Sequence, residues 1–352
     1  MKIITKIIII ITIILSAISC EEDSDWIESD NFGVILDTLT YSTIQEAINE
    51  ATDGDTLFLT EGIFADAGDK NLTWDGNEKH LTITIVEEAN AIIECNGKGN
   101  GFVFNCTHQN TSDVIDGIII RSSGDFDDAG IYCEWTSPTI KNCTISDCGW
   151  CGIYCDNAAP ILENNTIYEN EVGIMCANGS IPLIRWNIIE KNKSDGIFSN
   201  NDSYPSIINN LIIQNRRDGI YCLNGSGVMV NNTIADNKNS GINYDTDTPT
   251  TIINSIIWGN GKGFEPENIN ITVSYSCAQD SIPSVNPYSL GNIYSKPCFV
   301  LPENYHLASK SPCINKGNND VVDWDVDLDG NPRIYGEKVD MGCYEWQPYR
   351  KN

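Results

Sequence analysis

Through the middle of the chain, short β-branched runs alternate with Asn, Asp, Gly and Pro, and the alternation repeats. A Gly-Ile pair recurs at Gly130, Gly152, Gly173, Gly196, Gly219 and Gly241, at intervals of 22, 21, 23, 23 and 22 residues. A second apolar ladder runs through Ile145, Ile167, Ile189, Ile212, Ile234 and Ile257. Just before it lies a polar column, Asn165, Asn187, Asn210 and Asn232, with Cys143 and Ser255 at its ends. Another column follows it, Asn170, Asn192, Asn215, Asn237 and Asn260, and Pro138, Pro160, Pro182 and Pro205 mark a further shared position. No helical period runs through this region. Three short strands separated by turn residues in about 22 residues cannot bury an apolar face alone. Stacking one coil on the next closes a core and pairs the backbone in parallel ladders about 4.8 Å apart. Stacked Asn amides are expected to bond along each column, with Asn tolerating the left-handed turn conformation.

Within Gly-Ile-x-Cys, period two sends Ile and Cys inward, so Cys133, Cys155, Cys176 and Cys222 are expected to form a buried thiol stack. The residue between them faces out: Tyr132, Tyr154, Met175, Phe198, Tyr221 and Asn243, a nearly continuous aromatic stripe. Glu134 and Asp156 flank it. Rings with acceptors beside them suit sugar faces and hydroxyls, so Tyr132, Glu134, Tyr154, Asp156, Phe198 and Tyr221 are the candidate ligand-binding residues. The competing expectation is that the stripe packs under loops or steadies the sheet.

This pattern resembles the right-handed parallel β-helix of the pectate-lyase-like superfamily. The fold class it implies is all-β, a single right-handed parallel β-helix solenoid over residues 41–275 with an N-terminal capping helix. The opening, Tyr41-Ser-Thr-Ile-Gln-Glu-Ala-Ile, resembles that helix, with Ile44, Ala47 and Ile48 on one face. Residues 276–352 resemble the capping tail of surface-anchored bacterial proteins termed "choice-of-anchor Q". The matching stretches are Tyr275-Ser-Cys-Ala-Gln, Asn304-Tyr-His-Leu, Ser311-Pro-Cys-Ile-Asn-Lys-Gly, Asp327-Leu-Asp-Gly-Asn-Pro-Arg and Asp340-Met-Gly-Cys-Tyr-Glu. The superfamily hosts lyases, hydrolases, epimerases and adhesins, so the resemblance speaks to fold far more than to reaction.

At the N-terminus, Lys2 and Lys6 precede an apolar run, Ile7 to Leu15, and then Ser16-Ala17-Ile18-Ser19-Cys20. This resembles a bacterial lipoprotein signal, 1–19, cut before a lipidated Cys20; an ordinary secretory signal is the alternative. The acidic residues that follow begin a segment, 20–40, expected to be a solvated tether. The implied location is the cell envelope, with the protein exported, anchored to membrane through lipid and surface-exposed.

Charge narrows the partners. The 352 residues carry 21 Lys plus Arg against 49 Asp plus Glu, a net charge of −28. Nucleic acid is disfavoured, and an acidic polymer would be repelled unless a cation such as calcium bridged it. Candidate calcium ligands are Asp325, Asp327 and Asp329, which match the first half of an EF-hand loop; the twelfth position, Gly336, breaks the match. A turn paired with Arg333 is the alternative. Asp125, Asp127 and Asp128 form a second acidic cluster.

Fourteen cysteines are present. Cys277, Cys298, Cys313 and Cys343 form an even set for which two disulfides are expected, with Cys277–Cys313 the guessed pair among three connectivities. Cys143, Cys148, Cys151 and Cys155 imitate an iron–sulfur spacing, but the repeat register accounts for Cys143, Cys148 and Cys155.

Enzyme signatures are sparse. The resemblance implies, for polygalacturonase-like members, Gly-His-Gly and Arg-Ile-Lys motifs, and His80, His108 and His306 lie in neither. Pectate-lyase chemistry would draw on Arg185, Arg216 or Arg217 as base. Asp195 and Asp218 precede Gly at equivalent coil positions and should stack, raising a pKa or holding a cation. Asp195, Arg217 and Asp218 are the catalytic candidates. The leading expectation is a polysaccharide-binding β-helix. A polysaccharide lyase or glycoside hydrolase and a structural or adhesive surface protein are the alternatives.

Overall fold

The computed structural model describes residues 32–74, 79–105, 112–122, 128–225, 227–245, 249–265, 271–280 and 289–348. The signal segment, Cys20, most of the proposed tether, His108, Asp125 and Asp127 lie outside them. Among the described residues no helix is long and apolar enough to cross a membrane.

The chain opens with a hairpin of β1 (Val34–Leu36) and β2 (Leu39–Tyr41), followed by α1 (Ile44–Glu50) and β3 (Thr56–Leu59). The hairpin begins inside the segment read as a tether, because Val34 and Leu36 are buried in the core and β1 pairs antiparallel with β3. Thr43 starts the helix with a capping box, its hydroxyl accepting the Glu46 N–H while Glu46 reaches back. Lys79 donates to the Ile48 and Ala51 carbonyls at the other end. Ile44, Ala47 and Ile48 are buried, so the expected helix covers the open end of the core.

From there the chain coils. Three sheets of twelve, ten and eight strands run along the stack, parallel apart from the opening hairpin. The two Ile ladders are in register from coil to coil, for example Ile153 with Ile174 and Ile197, and Ile167 with Ile189 and Ile212. All are fully buried. The Gly before each inward Ile is there because coils approach closely: a Cβ on Gly173 would lie 2.4 Å from the Gly196 carbonyl oxygen and 2.9 Å from Asn192 Nδ2. The thiol stack is also present. Cys133, Cys155 and Cys176 pair in register, then Ser199, Cys222 and Tyr244 continue the column, all without exposure.

Both Asn columns form hydrogen-bonded ladders. In the first, each Oδ1 accepts the backbone N–H of the residue one coil earlier: Asn165 from Cys143, Asn187 from Asn165 and Asn210 from Asn187, all at 2.9 Å. The column outruns its expected end, passing through Ser255 and Ser276 to Asn292. The second runs from Cys148 to Asn260 and finishes on Gln279. One expectation needs correcting. The left-handed residue is not the column Asn but the one before it: Asn142, Asn164, Trp186, Asn209, Asn231, Asn254 and Tyr275 at the first corner, each with φ between 49° and 56°. That residue turns the chain, so the next amide can point along the stack.

The tail does more than cap. Asn292 and Ile293 close the last coil, but the following residues double back along the flank of the middle sheet. Leu211, Ile213 and Ala235, outward-facing on that sheet, are buried by Tyr305, Cys343 and Tyr344. The corner amides hold the tail: Asn209 donates to the Val326 carbonyl, Asn231 to those of Asp340 and Gly342, and Asn254 to that of Asn318.

Candidate functional site

The outward stripe sits on the eight-stranded sheet, where strand register fixes one stripe residue per coil. Tyr132 pairs with Tyr154, Tyr154 with Met175, Met175 with Phe198, Phe198 with Tyr221 and Tyr221 with Asn243. Ring centroids of Tyr132 and Tyr154 are 5.2 Å apart, and those of Phe198 and Tyr221 are 5.1 Å apart and stacked. Most of these side chains are half-buried, whereas Tyr154 is only 8% exposed. The reason is Trp150, whose ring lies 4.5 Å from that of Tyr154. Trp150 escaped the sequence reading, although its place two residues before Gly152 is the one Arg217 holds before Gly219. Glu134 and Asp156 pair in register beside the rings, and the Tyr154 hydroxyl reaches Asp156 at 3.4 Å. Burial, with the Asp156 charge, pushes the Tyr154 phenol well up.

At its C-terminal end the stripe runs into a polar cleft of about 310 Å³, lined by Arg217, Asp218, Ser240, Asn243, Lys262 and Glu265 among others. The structure brings Asp195, Arg217 and Asp218 together. Asp195 Oδ1 accepts the Asp218 N–H at 3.0 Å, and Asp218 Oδ1 accepts the Ser240 N–H at 2.8 Å, which is the expected stack. Arg217 lies 3.4 Å from Asp195 and 3.7 Å from Asp218, with its guanidinium over the Tyr221 ring at 4.9 Å. Asn243 donates to Asp218 Oδ2. The Asp195 carboxyl is raised to about 6. Burial is the main cause, the Asp218 N–H and the Arg217 charge pull the other way, and the like charge of Asp218 adds a smaller rise than burial does. Such a group changes protonation near neutral pH beside a fixed cation, which suits it to move a proton.

The tail's carboxylates have other partners. Asp327 is buried and accepts the N–H groups of Asp329, Asn331 and Glu345 at 3.0, 2.8 and 2.9 Å. Asp329 meets His306 Nε2 at 2.9 Å, and the Asp325 carbonyl accepts the Arg333 N–H. Arg333 itself turns to the Asp340 and Gly342 carbonyls and to Glu345, not to the Asp side chains. Among the described residues no three His, Cys, Asp or Glu side chains gather closely enough to hold a metal ion, which includes this triplet and Cys143, Cys148, Cys151 and Cys155.

The described cysteines are free thiols. Cys277 and Cys313, the guessed disulfide pair, share one apolar cluster but are not bonded to each other. Cys343 packs in a different cluster and Cys298 turns to the Lys296 carbonyl, so the four do not sit as two pairs.

Residues 129–278 match a family model described as a right handed beta helix region. Among solved structures the chain is similar to the pectate lyase Pel9A, with 15% identity and a TM-score of 0.64 over 88% of this chain and 92% of that one. It is also similar to XylC, solved in complex with xylose, with 11% identity and a TM-score of 0.53 over 81% of this chain and 64% of that one. No curated protein matches. At these identities the likeness is one of architecture, a right-handed parallel β-helix.

Proposed function

We propose that this protein is an exported cell-envelope lipoprotein, anchored through Cys20, that binds polysaccharide along the aromatic ladder of its eight-stranded sheet. The ladder carries the proposal. It offers the half-exposed rings of Phe198 and Tyr221 at one-coil spacing, about 4.8 Å, close to the length of one sugar unit, with half-exposed Tyr132 further along the same face. The two similar folds, a pectate lyase and a protein solved with xylose, support a carbohydrate partner. With a net charge of −28, a neutral glycan is preferred and its binding depends weakly on salt. Calorimetry with neutral and acidic polysaccharides, on wild type and Phe198→Ala/Tyr221→Ala, tests this. Affinity for a neutral glycan should fall at least about tenfold in the variant. Equal binding by both proteins, or no glycan binding at all, would refute it and leave a structural or adhesive role. Cys20→Ala should leave an uncleaved precursor; normal processing would sink the anchor.

A second reading, a polysaccharide lyase or glycoside hydrolase, is favoured by one observation: Asp195, raised to about 6, lies against Arg217 where the ladder ends. It requires product release from a glycan, as new reducing ends or unsaturated sugars, and loss of that release in Asp195→Asn.

A further inference from the structure

A second cleft, of about 700 Å³, opens where the last coil meets the tail, far along the chain from the ladder residues. Tyr275, Ile293, Asn315, Lys316, Glu337 and Lys338 line it. Two lysines converging on one cavity are notable in a chain with 21 basic against 49 acidic residues. Many basic side chains elsewhere answer a carboxylate, as Arg121 does Glu94 and Lys141 does Asp116. Among the described residues Lys316 and Lys338 have no such partner, and both are exposed.

The aromatic wall is built at a local cost. Tyr275 holds the left-handed corner, φ 49°, that Asn142, Asn164, Asn209, Asn231 and Asn254 hold in other coils and that one other bulky residue, Trp186, also holds. A bulky side chain is disfavoured there, and such outliers persist where the surroundings hold them and cluster at functional sites. Two glycines make the room. A Cβ on Gly291 would stand 2.7 Å from the Tyr275 ring, and one on Gly336 would stand 2.5 Å from Asn315 Oδ1. A ring face beside two uncommitted ammonium groups and an amide suits a ligand with both a flat hydroxylated ring and an acid group. Glu337 on the rim disfavours a bare anion and leaves the ring contact to select.

We infer that this cleft binds an acid-bearing pyranose, a uronate or a sugar phosphate, independently of the ladder. The test is calorimetry on the full chain with galacturonate, glucose 6-phosphate, glucose and inorganic phosphate, at low and high salt. An acidic sugar should bind more tightly than glucose or phosphate and lose affinity with salt. Lys316→Ala/Lys338→Ala should weaken it about fivefold to tenfold. Tyr275→Asn, which restores the residue used at five of the six other corners, should weaken it while leaving thermal stability at wild-type level. Binding of only one of the two acidic sugars supports the inference and identifies the acid. Phe198→Ala/Tyr221→Ala should bind the acidic sugar as wild type does, so failure of the ladder proposal leaves this result standing. Absence of acidic-sugar binding, binding unchanged by the lysine pair, or phosphate bound as tightly as glucose 6-phosphate would overturn it.

Discussion

Asn187→Ala tests what holds the coils together. Asn187 is fully buried in the first corner column. Its Oδ1 accepts the Asn165 backbone N–H at 2.9 Å and Asn165 Nδ2 at 3.0 Å, while its Nδ2 donates to the Leu162 and Arg185 carbonyls and to Asn210 Oδ1. Alanine keeps the backbone bond from residue 187 to Asn210 and removes the rest. The largest loss is the Asn165 N–H, left buried and without an acceptor, at roughly 1–3 kcal/mol. The other bonds add about 0.5–1.5 kcal/mol each, less what relaxation and water recover, so the expected destabilisation is about 3–5 kcal/mol. Chemical denaturation measures the total, and hydrogen exchange at the Asn165 amide reads the local effect. Asn187→Asp sharpens the test. It keeps an acceptor for Asn165 but sets a carboxylate against the Leu162 carbonyl and Asn210 Oδ1. It should be at least as damaging at pH 7 and recover as pH falls and the acid protonates. An alanine variant within about 1 kcal/mol of wild type, with Asn165 still protected, would refute the reasoning.

Asp195→Asn keeps the acceptor for the Asp218 N–H and removes a buried charge. The Asp195 pKa is raised from 3.8 to about 6 by folding, so its contribution to stability is full below 3.8 and lost as pH rises through 6. The variant should therefore be more stable than wild type at pH 7, by about 1–3 kcal/mol, and match it near pH 4; a gain that is the same at both pH values would contradict the assignment. Thiol labelling of the native protein, located by peptide mapping, should mark Cys298 well before Cys133 or Cys222. Cys298 is half-exposed, while burial pushes Cys133 up and Cys222 to about 12; rapid labelling of Cys222 would count against a closed core.

The coils were legible because each corner and each inward strand position admits few residue types. Gly is needed where a neighbouring carbonyl comes too near for a Cβ, Asn where an N–H one coil away needs an acceptor, Ile where the core is closed. Spacing alone recovers such columns. The ladder rings followed from period two, but their shielding did not. Trp150 lies in a different outward row from Tyr154, and no pattern within one coil shows which row covers which. The flank docking of the tail was harder still, since its contacts join residues such as Asn209 and Val326, 117 positions apart. A trace existed. Leu211-Ile-Ile and Thr233-Ile-Ala are buried at all three positions, whereas Thr166-Ile-Tyr carries polar residues on its outer face. An apolar outer face on a solenoid strand signals that something lies over it. The polar capture of Asp327 and the separation of Cys298 from Cys343 depend on how the tail folds back, which no short-range spacing encodes.

The corner columns also bear on how such a groove changes length. Asn210 stands 23 residues after Asn187 and repeats its bonding, so the seam below one coil is interchangeable with the seam below the next. Excising residues 187–209 would bring Asn210 beneath Asn165 and Asn215 beneath Asn170, with the donors of both Asn columns still answered. The same cut would drop Phe198 from the ladder and shorten the face by about 4.8 Å. Ladder length is thus inherited in whole coils. A lineage could track a longer or shorter ligand by duplicating or losing a segment of DNA of one coil's size, with no residue of the two Asn columns having to change.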